Sequence, residues 1–212
     1  MSKKTRKKTE SSRIAVKAPA KAGSGKTETA APARATVAAK SRKPVSQSAG
    51  KTPASTPAHA LNEGDMAPPF RLPRDGGQLI SLADFAGRKL VIFFYPRADT
   101  PGCALEASDF SRLAPAFAAA KTAILGISAD PVKAQDKFRD KHELSVPLAS
   151  DEDHETLERF GVWGEKSMYG KTFLGIVRTT VLVDAQGKIA RIWRNVRVPG
   201  HAEEVLSAAR AL

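Results

Sequence analysis

From residue 61 onward, apolar and polar positions fall into blocks whose periods can be read directly. Residues 90–95, Leu-Val-Ile-Phe-Phe-Tyr, form an unbroken apolar run rich in β-branched and aromatic side chains, which predicts a strand buried on both faces. Pro96 ends it. After the loop Arg97-Ala98-Asp99, the pair Thr100-Pro101 starts a helix, since the hydroxyl is able to cap and proline's fixed φ suits the first turn. Cys103, Ala107, Phe110, Ala114 and Phe117 then recur at helical spacing on one stripe, while Glu106, Asp109 and Arg112 lie off it. The stripe aims Cys103 inward, at the strand.

The flanking pattern supplies the other elements. Residues 70–72 and 78–81 surround Asp75-Gly76-Gly77, a hairpin signal, and residues 82–85 make a helical turn ended at Gly87. Residues 122–128 read as a second buried strand, 131–142 as a helix begun by Asp130-Pro131, 146–149 as a short strand and 154–160 as a helix. Residues 176–184 and 188–196 read as strands joined through Ala185-Gln186-Gly187, and residues 201–212 close the chain as an amphipathic helix. This order predicts an α/β fold, a mixed sheet flanked by helices.

Residues 1–60 break with the pattern. They are mostly Ala, Lys, Ser, Thr and Pro, with few large apolar side chains beyond Ile14, Val16, Val37 and Val45. That is too little to offset the entropy of ordering, so a disordered tail is expected over 1–60 and one folded domain over 61–212. The tail also carries the charge: its 14 Lys and Arg against Glu10 and Glu28 account for the whole net charge of +12, and the remainder is neutral. Gly23-Ser24-Gly25-Lys26-Thr27 looks like the end of a phosphate-binding loop, but Ala20 stands where that motif needs glycine and no strand precedes it. The cluster Lys3-Lys4-Thr5-Arg6-Lys7-Lys8 suits a solubilising tail, a targeting signal or weak, non-specific DNA binding through counterion release. No aromatic residue is present in the tail to stack on bases.

A single cysteine excludes an intrachain disulfide and gives no secreted disulfide framework. No apolar run approaches the roughly 18–20 residues needed to cross a bilayer, and no secretory signal is visible. The expected location is the cytoplasm, with the basic tail a candidate address to a nucleoid or nucleus, and no membrane partner is expected. His59, His142, His154 and His201 are scattered without metal-ligand spacing, so neither metal nor cofactor is expected; His142 and His201, near helix ends, read as solvated. Trp163 and Trp193 read as packing residues, with the segment 163–169 able to line a pocket.

The chemistry centres on Cys103. A thiol in the first turn of a helix faces unpaired backbone N–H groups and the positive end of the helix dipole, both of which favour a thiolate nucleophile. The same position also suits a buried, inert cysteine.

Pro96-x-x-x-Thr100-x-x-Cys103 resembles the active-site signature of the peroxiredoxins, and Phe94-Tyr95-Pro96 with Thr100-Pro101-Gly102-Cys103 is similar to their bacterioferritin-comigratory, or Q-type, subfamily. Met168-Tyr169-Gly170-Lys171 and Gly175-Ile176-Val177-Arg178-Thr179-Thr180, followed by residues 181–184 and 187–189, read the same way and in the same order. The resemblance spans roughly residues 61–212 and implies a thioredoxin-like fold and a thiol-dependent peroxidase acting on hydrogen peroxide and organic hydroperoxides. Cys103 then attacks the peroxide and becomes a sulfenic acid. Thr100 turns its hydroxyl toward the peroxide or the sulfur, or else caps the helix. Pro96 screens the pocket, or merely ends the strand. Arg178 supplies positive charge and a fork of donors, and Glu106 holds it in place; without the resemblance these would read as a surface arginine and an exposed helix residue.

One departure is informative. Many Q-type relatives carry a resolving cysteine five residues after the attacking one, and here that residue is Ser108. A one-cysteine mechanism follows, in which thioredoxin, glutaredoxin or glutathione restores the thiol. The subfamily resemblance leans toward a monomer. Thiol–disulfide exchange is disfavoured by the absence of Cys-x-x-Cys. A nucleic-acid-associated protein acting through the tail is the alternative from another class.

Overall fold

The structure, a computed structural model, describes residues 61–168 and 171–212. The basic tail and Tyr169-Gly170 lie outside the described residues. A first hairpin pairs β1 (Arg71–Pro73) with β2 (Leu79–Ser81) around Asp75-Gly76-Gly77, where Gly76 and Gly77 take φ of 77° and 76°, a left-handed conformation that glycine adopts without penalty. Asp75 is buried beneath it, accepting hydrogen bonds from Arg139 at 2.6 Å and from the Leu148 amide at 2.9 Å. That carboxylate ties the hairpin to the helix and strand beside it.

The main sheet has the order β5-β4-β3-β8-β9, with β3 (Lys89–Phe94) at its centre. It runs parallel to β4 (Thr122–Ser128), which pairs with β5 (Leu148–Ser150), and antiparallel to β8 (Thr179–Val183), which pairs with β9 (Ile189–Arg194). Period-two alternation divides the apolar run between two cores, as a doubly covered strand requires: Leu90, Ile92 and Phe94 enter one, and Val91, Phe93 and Tyr95 the other. The second core also takes Cys103, Ala107, Phe110 and Phe117 from α1 (Pro101–Ala119) and Val205, Leu206 and Ala209 from α4 (His201–Ala211). Phe93 stacks on Phe110 with ring centroids 4.8 Å apart. Its ring lies where Gly126 has no side chain, since a Cβ there would come within 2.6 Å of it. Between these elements lie α2 (Val132–His142) and α3 (Glu155–Arg159). Among the described residues no helix is long and apolar enough to cross a membrane.

Three expectations need correction. The stretch 176–184 is not one strand: β6 (Trp163–Met168) and β7 (Lys171–Ile176) form a separate two-stranded antiparallel sheet, and the ladder to β8 resumes only at Thr179. The backbone changes partners in between, Val177 donating to the Val162 carbonyl and Arg178 accepting from the Val196 amide. His201, expected in solvent, is buried. Gly200 at φ 76° turns the chain so that α4 begins over the sheet, where the ring meets Phe110 and Trp193 edge-on and Nε2 lies 2.8 Å from Thr180 Oγ1. Burial pushes its imidazole below the ordinary value. His142 is half-buried and paired with Asp99 rather than freely solvated. Trp163 and Trp193 do pack, Trp163 against the His154 ring at 3.9 Å and Trp193 with its indole N–H donated to Glu204.

Candidate active site

The end of β3 and the start of α1 fix the sulfur. Thr100 holds an extended backbone, Pro101 opens the helix, and the first helical hydrogen bond runs from the Ala104 amide to the Thr100 carbonyl at 2.8 Å. The amides of Gly102 and Cys103 precede that ladder and face outward from the helix N-terminus. Cys103 itself is 1% exposed and packs with Val91, Phe93 and Tyr95.

Arg178 reaches the sulfur from the break between β7 and β8. Its Nη2 donates to Cys103 Sγ at 3.2 Å and its Nη1 to Glu106 Oε2, so one rigid guanidinium plane engages two groups a single helical turn apart. Glu106 is accordingly not the exposed helix residue its place off the apolar stripe suggested, but 1% exposed. Its Oε1 is buried without a hydrogen-bond partner. Burial pushes the Glu106 carboxyl up to about 7 against the opposing pull of Arg178. Burial also works against the charge of Arg178, but Glu106 and the sulfur outweigh it and raise the guanidinium above its ordinary value.

The remaining expected residues are placed differently. Thr100 does not cap the helix with its side chain; Oγ1 donates to the Arg97 carbonyl at 3.1 Å, which folds the loop back on itself. Pro96 is exposed at the bend where the chain leaves β3. Cys103, Glu106 and Arg178 are therefore in direct contact, while Thr100 and Pro96 shape the turn before them.

Several supporting residues escaped the sequence reading. Gly102 lies directly beneath the guanidinium, where a Cβ would stand 3.4 Å from Arg178 Nη2, in ordinary contact with it. Tyr95 donates its hydroxyl to Gln135, whose amide donates to Ser128 Oγ at 2.8 Å; Ser128 in turn donates to Asp130 Oδ2 at 2.8 Å, which also accepts the Ala98 amide at 2.7 Å. This buried relay runs from the end of β3 to the loop before Cys103, and burial pushes the Tyr95 phenol above its ordinary value. A tyrosine closing an otherwise apolar run was its one signal. Asp99, in the same loop at φ 58°, holds Lys141 and His142, and those two bonds keep its carboxyl below the usual range.

A sequence model described as the AhpC/TSA family matches residues 63–192, which is more than half of the chain. The chain is a peroxiredoxin of the AhpC/TSA family. It is 42% identical over 147 residues to "Peroxiredoxin Bcp" of Escherichia coli K12, a match spanning 69% of this chain and 94% of that one. A "Putative peroxiredoxin MT2597" of Mycobacterium tuberculosis is 44% identical over 145 residues, covering 68% and 92%. Among solved structures, Peroxiredoxin Q of Xanthomonas campestris is 45% identical with a TM-score of 0.64, covering 67% of this chain and 90% of its own. PrxQ of Xylella fastidiosa, as a cysteine-to-serine mutant, is 38% identical with a TM-score of 0.68, covering 71% and 96%. The mixed sheet flanked by helices is thus the thioredoxin-like peroxiredoxin fold, and this peroxiredoxin is a thiol-dependent peroxidase. Solved mutants of the Xanthomonas protein replace cysteine by serine at two different positions, so that relative carries at least two cysteines where this chain has only Cys103.

Proposed function

We propose that Cys103 reduces hydrogen peroxide and organic hydroperoxides, and that an outside thiol restores it. The observation that carries this reading is the Arg178 fork, which sets one donor on the sulfur and the other on buried Glu106 at the mouth of a helix N-terminus. The Cys103 thiolate attacks one peroxide oxygen; the S–O bond forms as the O–O bond breaks, the sulfur loses two electrons, and the departing alkoxide or hydroxide takes a proton from solvent. Arg178 and the helix N-terminal amides face the negative charge that passes from sulfur to the leaving oxygen, which departs toward the solvent side of a sulfur that is itself 1% exposed. Organic hydroperoxides are included as substrates because the bacterioferritin comigratory protein of Xanthomonas campestris, 44% identical to this chain, has alkyl peroxide reduction activity.

With no second cysteine, recovery takes two outside thiols. The first displaces hydroxide from the sulfenic acid as water and forms a mixed disulfide, and the second attacks that disulfide and releases reduced Cys103. Glutathione, glutaredoxin and thioredoxin all supply this chemistry. Cys103, Glu106 and Arg178 all come from one chain, which supports a monomer as the working unit. The reduced protein is expected to consume one equivalent of hydroperoxide in a single turnover, leaving a sulfenic acid that mass spectrometry detects after trapping. Continuous turnover is expected only when an external thiol is added; turnover without one would refute the one-cysteine cycle.

The net charge of +12 carried by residues 1–60 supports a second, separable role, weak salt-dependent association with DNA. Deleting residues 1–60 is expected to remove retention on DNA at low salt while leaving peroxidase turnover within about twofold. Loss of turnover in the truncated protein would overturn this division.

A further inference from the structure

We propose that Asp99 is a positioning residue, a clasp that sets how readily an outside thiol reaches oxidised Cys103. The inference rests on the one-cysteine cycle above. The sulfur is 1% exposed and covered by the Arg178 guanidinium, and a thiol must bring its own sulfur to bonding distance. The turn carrying Cys103 therefore has to open once per cycle.

The piece free to open is short. Upstream, β3 is held by ladders on both sides, and downstream α1 is packed into the core through Ala107, Phe110 and Phe117. Between them, residues 96–100 are fastened at two points. The Ala98 amide donates to Asp130 Oδ2 at 2.7 Å, and the Asp99 carboxylate takes Lys141 Nζ at 2.7 Å and His142 Nε2 at 2.7 Å. Both fasteners run from this loop to the segment 130–142.

That segment is the fixed jaw. His142 sits edge-on to Phe138 with centroids 5.3 Å apart, Phe138 packs against Tyr95 at 5.9 Å, and Tyr95 donates to Gln135 on the same helix. The loop is the moving jaw. Asp99 holds φ 58°, a conformation that aspartate tolerates better than most residues but that relaxes once its carboxylate lets go. The clasp closes over an open groove of about 570 Å³, lined by Arg97, Lys137 and Asp140 among others, so the released loop has room to move. Because Asp99 and Lys141 are both exposed, salt weakens the clasp.

A closed clasp favours the peroxide step, which needs the turn intact, and an open one favours the thiol step. Asp99→Asn keeps a residue tolerant of the backbone conformation and removes the charge. The two half-reactions are to be timed separately on the full chain: consumption of hydrogen peroxide by the reduced protein, and loss of the sulfenic acid on adding reduced glutathione. In Asp99→Asn the glutathione step is expected to quicken roughly fivefold and the peroxide step to slow severalfold, with Lys141→Ala moving both in the same directions. Raising ionic strength from about 0.05 to 0.5 M should speed the glutathione step of the wild type and leave that of Asp99→Asn unchanged. A residue that only stabilised the fold would not move the half-reactions in opposite directions. Normal sulfenic acid formation with glutathione rates unchanged or slower in both variants would overturn the clasp alone. Absence of a sulfenic acid in the wild type would overturn the catalytic reading and the clasp with it.

Discussion

Cys103→Ser is expected to abolish peroxidase activity, lowering the rate of hydroperoxide consumption by more than about 10³-fold. The serine hydroxyl fits the space of the thiol, so Arg178 keeps a partner and α1 keeps its first turn. What disappears is the nucleophile: a thiol is partly ionised near neutral pH and its sulfur attacks readily, whereas an alcohol at the same site stays protonated. The melting temperature should therefore change little while the trapped sulfenic adduct vanishes entirely. Slow, equal consumption of hydrogen peroxide by both proteins would mean an inert buried cysteine, the alternative that its position in a core cluster leaves physically reasonable.

The sequence carried the local half of this site and hid the other half. The apolar run, Pro96 and Thr100-Pro101 placed Cys103 in the first helical turn because strand endings and helix starts are written in neighbouring residues. Arg178 lies 75 residues away, and only its motif marked it, since no periodicity links an arginine between two strands to a distant helix. Glu106 shows the limit of helical spacing. Its position three residues after Cys103 puts it beside the apolar stripe, and burial there depended on a guanidinium arriving from elsewhere to match it. The β6–β7 hairpin was missed because its sequence lacks alternation, with Phe173 and Leu174 adjacent and both exposed. His201 was missed because the turn at Gly200, not the helix itself, decides which way the ring faces.

Arg178→Ala is expected to slow the peroxide step by about 10² to 10³-fold, the usual range for removing a donor aimed at developing charge in a closed site. Arg178→Lys should recover only part of this, because an ammonium keeps the charge but cannot span Cys103 Sγ and Glu106 Oε2 as a planar fork does. The alanine variant also strands a carboxyl that is 1% exposed, at a cost of about 3–5 kcal/mol if it stayed ionised, so it should take up a proton instead. The wild-type protein already leans that way. With the Glu106 carboxyl raised from 4.5 to about 7, the folded chain holds this proton more tightly than the unfolded chain. The group's contribution to stability is therefore full below about 4.5 and is lost as pH rises through about 7. Glu106→Gln keeps an acceptor for Arg178 and removes the titration. Denaturant melts between pH 5 and 8 should show the wild type losing stability relative to Glu106→Gln as pH rises. An identical slope in the two proteins would show that Glu106 stays ionised throughout, with Arg178, rather than burial, setting its charge.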